Sequence, residues 1–315
     1  MQTKHLLDPE LHRLVELMPT TSFDAEMLPD FRKARAEEIT LVEPDEWQIT
    51  REQIQFKAED GHEVRALLYQ PKDSTNTRPG YLHIHGGGYI MGAPEGSDAQ
   101  NAMLTAKLGI VILSVSYRLA PEHSIPAPLH DCYAGLAWLH QNAEQLAIDP
   151  TRIGIGGESA GGGLAAATAI LARDRGEFAI CHQQLTYPML DNETGSSAAP
   201  GDPLVGEFIW DRERNQFGWA AYLGNAPAQA PQVPARVDDY AGLPPTWMFT
   251  AALDLFRDEN IAYAQRLLEA GVATDLVLYA GACHGFQFLR GSALGKRFVA
   301  DHRAALARGL GLALD

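Results

Sequence analysis

The sequence predicts an α/β fold: a mostly parallel sheet of about eight strands flanked by helices. Three observations lead there. Short apolar runs rich in β-branched residues, such as Ile110-Val111-Ile112-Leu113-Ser114-Val115, suit strands buried on both faces. Such runs alternate along the chain with helical periodicity, as crossover-connected parallel strands require. Finally, Arg152 to Gly163 reads R-I-G-I-G-G-E-S-A-G-G-G, a strand, a sharp glycine turn and the opening of a helix.

Taken in order, the chain opens helical. Asp8-Pro9 sets an N-cap before a proline at the first helical position, and Leu11, Leu14, Val15 and Met18 form one apolar face. A second helix is expected from Ser22 or Asp24 to about residue 37. From 47 to 69 the pattern becomes alternating (Trp47, Ile49; Ile54, Phe56; Val64, Ala66, Leu68), with Asp60-Gly61 as the hairpin turn. After a polar linker at 72–78, strands at 81–84, 109–116, 153–155, 179–186, 246–252 and 275–279 alternate with helices at 99–107, 128–143, 164–172 and 259–270. The last strand is expected at the sheet edge, open to pairing with a second copy as a homodimer through 275–279. Between 191 and 243 the alternation fails apart from one helix at 210–223, which marks an insertion. The expected division is therefore N-terminal helices at 1–45, an α/β core at 46–190 and 244–315, and an insertion at 191–243.

A chain of 315 residues can bury a substantial core. Its formal charge of -15 repels nucleic acid and anionic membrane surfaces, so neither is an expected partner. No stretch near twenty residues has the apolarity of a membrane span, and the start lacks the apolar centre of a secretory signal. A cytoplasmic location is expected. Cys132, Cys181 and Cys283 are scattered, which suits reduced thiols better than a disulfide framework or a zinc site.

The chemistry is concentrated in a few loops. Gly157-Glu158-Ser159-Ala160-Gly161 fits a nucleophile elbow, in which a serine on a strained turn stands clear of the sheet at the positive end of the next helix. His85-Gly86-Gly87-Gly88-Tyr89 follows the strand at 81–84; its glycines let backbone N–H groups turn inward, so that Gly87, Gly88 and Ala160 form a three-donor oxyanion hole. Asp254 follows the strand at 246–252, with Asp258 as a rival that better suits the start of the next helix. His284 lies in the loop after the last strand. The order Ser159, Asp254, His284 is the one this kind of fold uses.

The combination of H-G-G-G-Y, Tyr117-Arg118-Leu119-Ala120-Pro121-Glu122-His123, G-E-S-A-G-G and Asp254 with His284 resembles the bacterial hormone-sensitive lipase family, carboxylesterases of the α/β-hydrolase superfamily. The resemblance runs from about residue 78 to 286. It implies hydrolysis of short- to medium-chain acyl esters, with Ser159 as nucleophile, His284 as general base and Asp254 as the acid orienting it, and no cofactor. It also implies that the N-terminal helices and the insertion combine into a cap over the acyl site. The departures are Leu255, Phe256 and Asn260 within the family's D-P-L-R-D-E-G acid motif, and Glu158 where aspartate is commoner. Glu158 either braces the site or has a solvated helix-end role, while the resemblance assigns His85, with Gly86, to holding the oxyanion loop. His83 and His85 form an H-x-H pair without a third ligand at suitable spacing, so no metal is expected. Tyr89, Tyr187, Phe208, Trp210, Leu255 and Phe286 are candidates for the substrate pocket, with packing between cap and core as the other reading. Hydrolysis of amides, lactones or carbamates, or ligand reception without turnover, are the rival functions.

Overall fold

A computed structural model describes residues 2–18, 24–72 and 76–313. The expected helix start at Ser22 and part of the 72–78 linker lie outside the described residues. The sheet has eight strands: β1 (Ile49–Lys57), β2 (Glu63–Pro71), β3 (Arg78–Ile84), β4 (Val111–Ser116), β5 (Ile148–Glu158), β6 (His182–Thr186), β7 (Thr246–Ala251) and β8 (Thr274–Tyr279). They lie in the order β1-β2-β4-β3-β5-β6-β7-β8. β1 and β2 form the hairpin read from Asp60-Gly61 and pair antiparallel, as do β2 and β4; every other pairing is parallel. β8 occupies one edge of the sheet.

The helices are α1 (His12–Leu17), α2 (Leu28–Glu37), α3 (Asp98–Leu108), α4 (Ala127–Gln141), α5 (Ala160–Arg175), α6 (Arg212–Leu223), α7 (Arg257–Glu269) and α8 (Ala293–Gly309). The expected first helix is shorter than its apolar stripe suggests, because a 3-10 turn at Pro9–Leu11, whose Glu10 N–H is bonded by Asp8, precedes α1. α8 is an element that the apolar alternation does not reveal. On one face of the sheet, Ala102 and Leu104 of α3 and Leu306 of α8 pack with Tyr69, Tyr81 and Ile112. On the other, Leu136 of α4, Leu164 of α5 and Leu267 of α7 pack with Leu82, Ile84 and Ile155. Burying both faces leaves the loops at the C-terminal strand ends as the place for chemistry.

The N-terminal segment meets the insertion at one point and the core at others. Thr3 donates its backbone N–H to Glu207 at 2.7 Å, Asp8 N bonds to Gly281 O at 2.8 Å, and Arg32 of α2 reaches Ile90 O and Ala120 O at 2.7 Å each. No described helix is long and apolar enough to cross a membrane.

Candidate active site

Ser159 stands between β5 and α5 with φ +55° and ψ -120°, a conformation that L-residues adopt only when their surroundings impose it. What imposes it is close packing at the glycines on either side. A Cβ on Gly157 would lie 2.2 Å from the Ile84 carbonyl oxygen, and one on Gly161 would lie 2.1 Å from the same atom. Ser159 N–H donates to Thr186 O at 2.9 Å and Ser159 O accepts from Met189 N at 3.0 Å, so the elbow is tied to the end of β6. Ala160, next in the chain, is the first residue of α5, where helix N–H groups have no partner within the helix.

The glycine loop lies alongside. Gly87 and Gly88 have φ of +125° and +60°, and a Cβ on Gly86 would come within 3.5 Å of Ser159 Cβ. His85 braces this loop: its Nδ1 bonds to Gly86 O at 2.8 Å, and its ring stacks on Tyr117 at 4.3 Å. Burial pushes the His85 imidazole down to about 4, so it is neutral near pH 7.

Asp254 and His284 meet. Oδ2 of Asp254 accepts from His284 Nδ1 at 2.8 Å, and Oδ1 accepts from Phe256 N–H at 3.0 Å. Both residues are buried. The rival Asp258 pairs instead with Arg257 at 2.7 Å in the exposed first turn of α7. The imidazole is enclosed by Tyr187 at 4.3 Å, Phe256 edge-on at 5.4 Å and Trp210 at 6.4 Å. Tyr187 follows Thr186, the residue that accepts the Ser159 N–H, and a Cβ on Gly88 would lie 2.2 Å from Trp210 Cη2. Serine, glycine loop, indole and imidazole are therefore neighbours in succession.

The other pocket candidates divide. Trp210 and Tyr187 touch the imidazole or the glycine loop. Tyr89 does not: it is fully buried in a stack with Tyr222 at 4.0 Å, its hydroxyl donating to Met189 O at 3.0 Å. Phe286 packs into a wall with Phe249, Tyr279 and Phe298, and Phe208 belongs to that same cluster. Leu255 lies against Gly206 of the insertion.

Behind the nucleophile, Glu158, one of whose two readings is a brace of the site, joins a network whose other members sequence reasoning missed. Glu158 accepts from His83 Nε2, which sits 3.1 and 3.2 Å from its two oxygens, and from Gln100 Nε2 at 3.2 Å. His83 Nδ1 meets Ser114 Oγ at 2.8 Å. Burial alone would raise the Glu158 carboxyl; the facing His83 outweighs it and holds the group below its ordinary value. The signal that finds this pair is register, since His83 lies opposite Gly156 and Glu158 is two residues beyond on the same side of β5. Gln287, also unforeseen, donates its amide to the Tyr187 hydroxyl.

Comparison with known proteins finds the same fold. The alpha/beta hydrolase fold family matches residues 81–288. An arylesterase of Saccharolobus solfataricus is 31% identical over 294 residues, covering 89% of this chain and 92% of the relative. Carboxylesterase NlhH of Mycobacterium tuberculosis (strain ATCC 25618 / H37Rv) is 31% identical over 284 residues, with 89% and 88% covered. Among solved structures, a bacterial heroin esterase superposes with a TM-score of 0.90 at 36% identity, covering 98% of this chain and 99% of its own. Esterase LipW of Mycobacterium marinum superposes at 0.85 and 31% identity, with 98% and 97% covered.

The chain belongs to the α/β-hydrolase fold family. Within that family it is of the hormone-sensitive-lipase type, the carboxylesterase branch to which its motifs point.

Proposed function

We propose that the protein hydrolyses short- to medium-chain carboxylic esters through a Ser159-His284-Asp254 triad and an acyl-enzyme. The observation that carries this reading is the 2.8 Å bond from His284 Nδ1–H to Asp254. It fixes the tautomer whose free lone pair is on Nε2, the atom needed to accept the Ser159 proton. Ser159 Oγ attacks the ester carbonyl as that proton passes to Nε2. The resulting oxyanion is held by the N–H groups of Gly87, Gly88 and Ala160, each worth about 3–4 kcal/mol in the transition state. As the intermediate collapses, the proton moves from Nε2 to the departing alcohol oxygen; water then repeats the sequence on the acyl-enzyme. Small acyl groups are favoured because the Trp210 indole crowds the glycine loop.

The N-terminal helices at 1–45 and the insertion at 191–243 serve in this proposal as a cap, a role supported by the Thr3–Glu207 bond. Pairing of two copies through β8 is supported by its edge position and is read by sedimentation of the wild-type chain. Ser159→Ala is expected to lower kcat/KM for 4-nitrophenyl acetate by roughly 10⁴-fold or more with unchanged melting temperature. An organophosphonate should label wild type once and the variant not at all. Undiminished turnover by the variant overturns the proposal, and preference for an anilide over the matching ester would favour the amide reading.

A further inference from the structure

His83 is the half of the H-x-H pair that the triad leaves unused. It lies in β3 between Ser114 of β4 and Gly156 of β5, and it is buried. Its proton has a defined place. Asn101 Nδ2, which can only donate, meets His83 Nδ1 at 3.3 Å, and the Ser114 hydroxyl meets the same atom at 2.8 Å. Nδ1 is therefore the acceptor, and the proton on Nε2 faces the Glu158 carboxylate. Oε1 of that carboxylate accepts from two elements at once, His83 of β3 at 3.1 Å and Gln100 of α3 at 3.2 Å.

Within Gly157-Glu158-Ser159-Ala160-Gly161, Glu158 is the one residue besides the nucleophile whose side chain can hydrogen-bond. The glycines make room for the turn but hold nothing. The φ of Ser159, +55°, is its rotation against the peptide group that Glu158 supplies. The N–H end of that peptide is tied to Thr186 O at 2.9 Å. Its carbonyl end stands so near the glycine loop that a Cβ on Gly86 would lie 2.8 Å from Glu158 O. A strained φ persists only where its surroundings over-determine it, and the clamped carboxylate adds a restraint from two further elements.

We propose that His83 and Glu158 form one positioning unit for the reaction: the bond between them holds the peptide before Ser159, so that the turn presents the nucleophile and the Ala160 N–H together. Both act through the backbone at Ser159. The proposal rests on the esterase reading and adds to it two residues that set the rate of acylation.

The test is single-turnover acylation by 4-nitrophenyl acetate, followed by stopped flow. Glu158→Ala and His83→Leu are each expected to lower the limiting rate by on the order of 10²-fold, with the half-saturating concentration within about twofold of wild type. Because both remove the same bond, the double variant should be slower than either single by no more than about threefold. Glu158→Gln keeps an Oε1 that accepts from His83 and Gln100, and should restore the rate to within about fivefold of wild type. A Glu158→Gln enzyme as slow as Glu158→Ala overturns the proposal, because the charge and not the bond would then matter. Losses that multiply in the double variant overturn it too, as do wild-type rates in both single variants. Where neither truncation folds, Gln100→Leu removes one donor to the same oxygen and is expected to cost about fivefold in the limiting rate at an unchanged melting temperature; an unchanged rate then overturns the proposal. Loss of the esterase reading itself has a different signature, full turnover by Ser159→Ala.

Discussion

Replacing Gly88 with alanine tests whether the glycine loop and the Trp210 indole act as one unit. The backbone at residue 88 has φ +60°, where an L-residue pays roughly 1–2 kcal/mol. The new Cβ would stand 2.2 Å from Cη2 and 2.7 Å from Cζ2 of Trp210, against an ordinary carbon contact of about 3.5–4 Å. The indole must therefore retreat by more than about 1 Å. It is poorly placed to do so, being 6% exposed and held by Asn215 Oδ1 at 3.2 Å. Overpacking of this kind costs about 1–3 kcal/mol, giving a total of roughly 2–5 kcal/mol by urea unfolding. If the strain rotates the Gly88 N–H away from the oxyanion, kcat for 4-nitrophenyl acetate falls by about 10²–10³. Trp210→Ala removes the obstructing ring, so in the double variant only the backbone cost remains. Its stability should exceed the sum of the single effects by about 1–3 kcal/mol. Additivity within about 0.5 kcal/mol would refute the packing argument, and a Gly88→Ala enzyme with wild-type kcat would refute the oxyanion role.

Two further predictions concern buried and half-buried ionisable groups. Burial pushes both His85 and His302 down to about 4, against about 6.5 in the unfolded chain, so the unfolded state binds more protons between those values. Each therefore contributes stability that is present above about pH 6.5 and lost as pH falls toward 4, about 2 kcal/mol per histidine between pH 7 and 5. His302→Gln should flatten the unfolding free energy across that interval by this amount; an unchanged slope would contradict the burial argument. The Glu259 carboxyl is raised well above its usual range, first by burial and also by nearby Asp191 and Asp254, despite a bond from Leu190 N–H at 2.7 Å. Here the folded state holds the proton more tightly, so stability is lost as pH rises above about 4.3. Glu259→Gln keeps an acceptor for Leu190 and should melt higher than wild type at pH 8, by a margin that shrinks toward pH 4.5. A variant that melts lower at pH 8 would show that the ionised form is the one the fold needs.

What the sequence reveals and what it conceals follow from the range of the interactions involved. The strands at 109–116 and 246–252 are legible because a strand buried on both faces must be apolar along its length. α8 is not, because its buried face is Gly295, Phe298, His302, Ala305 and Leu306, in which small and polar residues dilute the helical period; only the Ser292 cap marks its start. β5 begins at Ile148, earlier than expected, since Asp149-Pro150 interrupts its apolar run. The insertion of β4 between β2 and β3 has no local signature at all.

The same division runs through the site. The elbow is legible because Gly157, Ser159 and Gly161 are neighbours in the chain, and steric exclusion acts on each directly. The register of the acid motif ranks Asp254 above Asp258 although both follow β7; in the fold, what separates them is which one faces a histidine thirty positions away. Support for the imidazole is more remote still: Tyr187 rests on His284 and is itself bonded by Gln287, 100 residues later. Glu158 and His83 are 75 apart. Such partners are chosen by strand order and register, so residues that brace the reacting groups carry no motif even where the reacting groups themselves do.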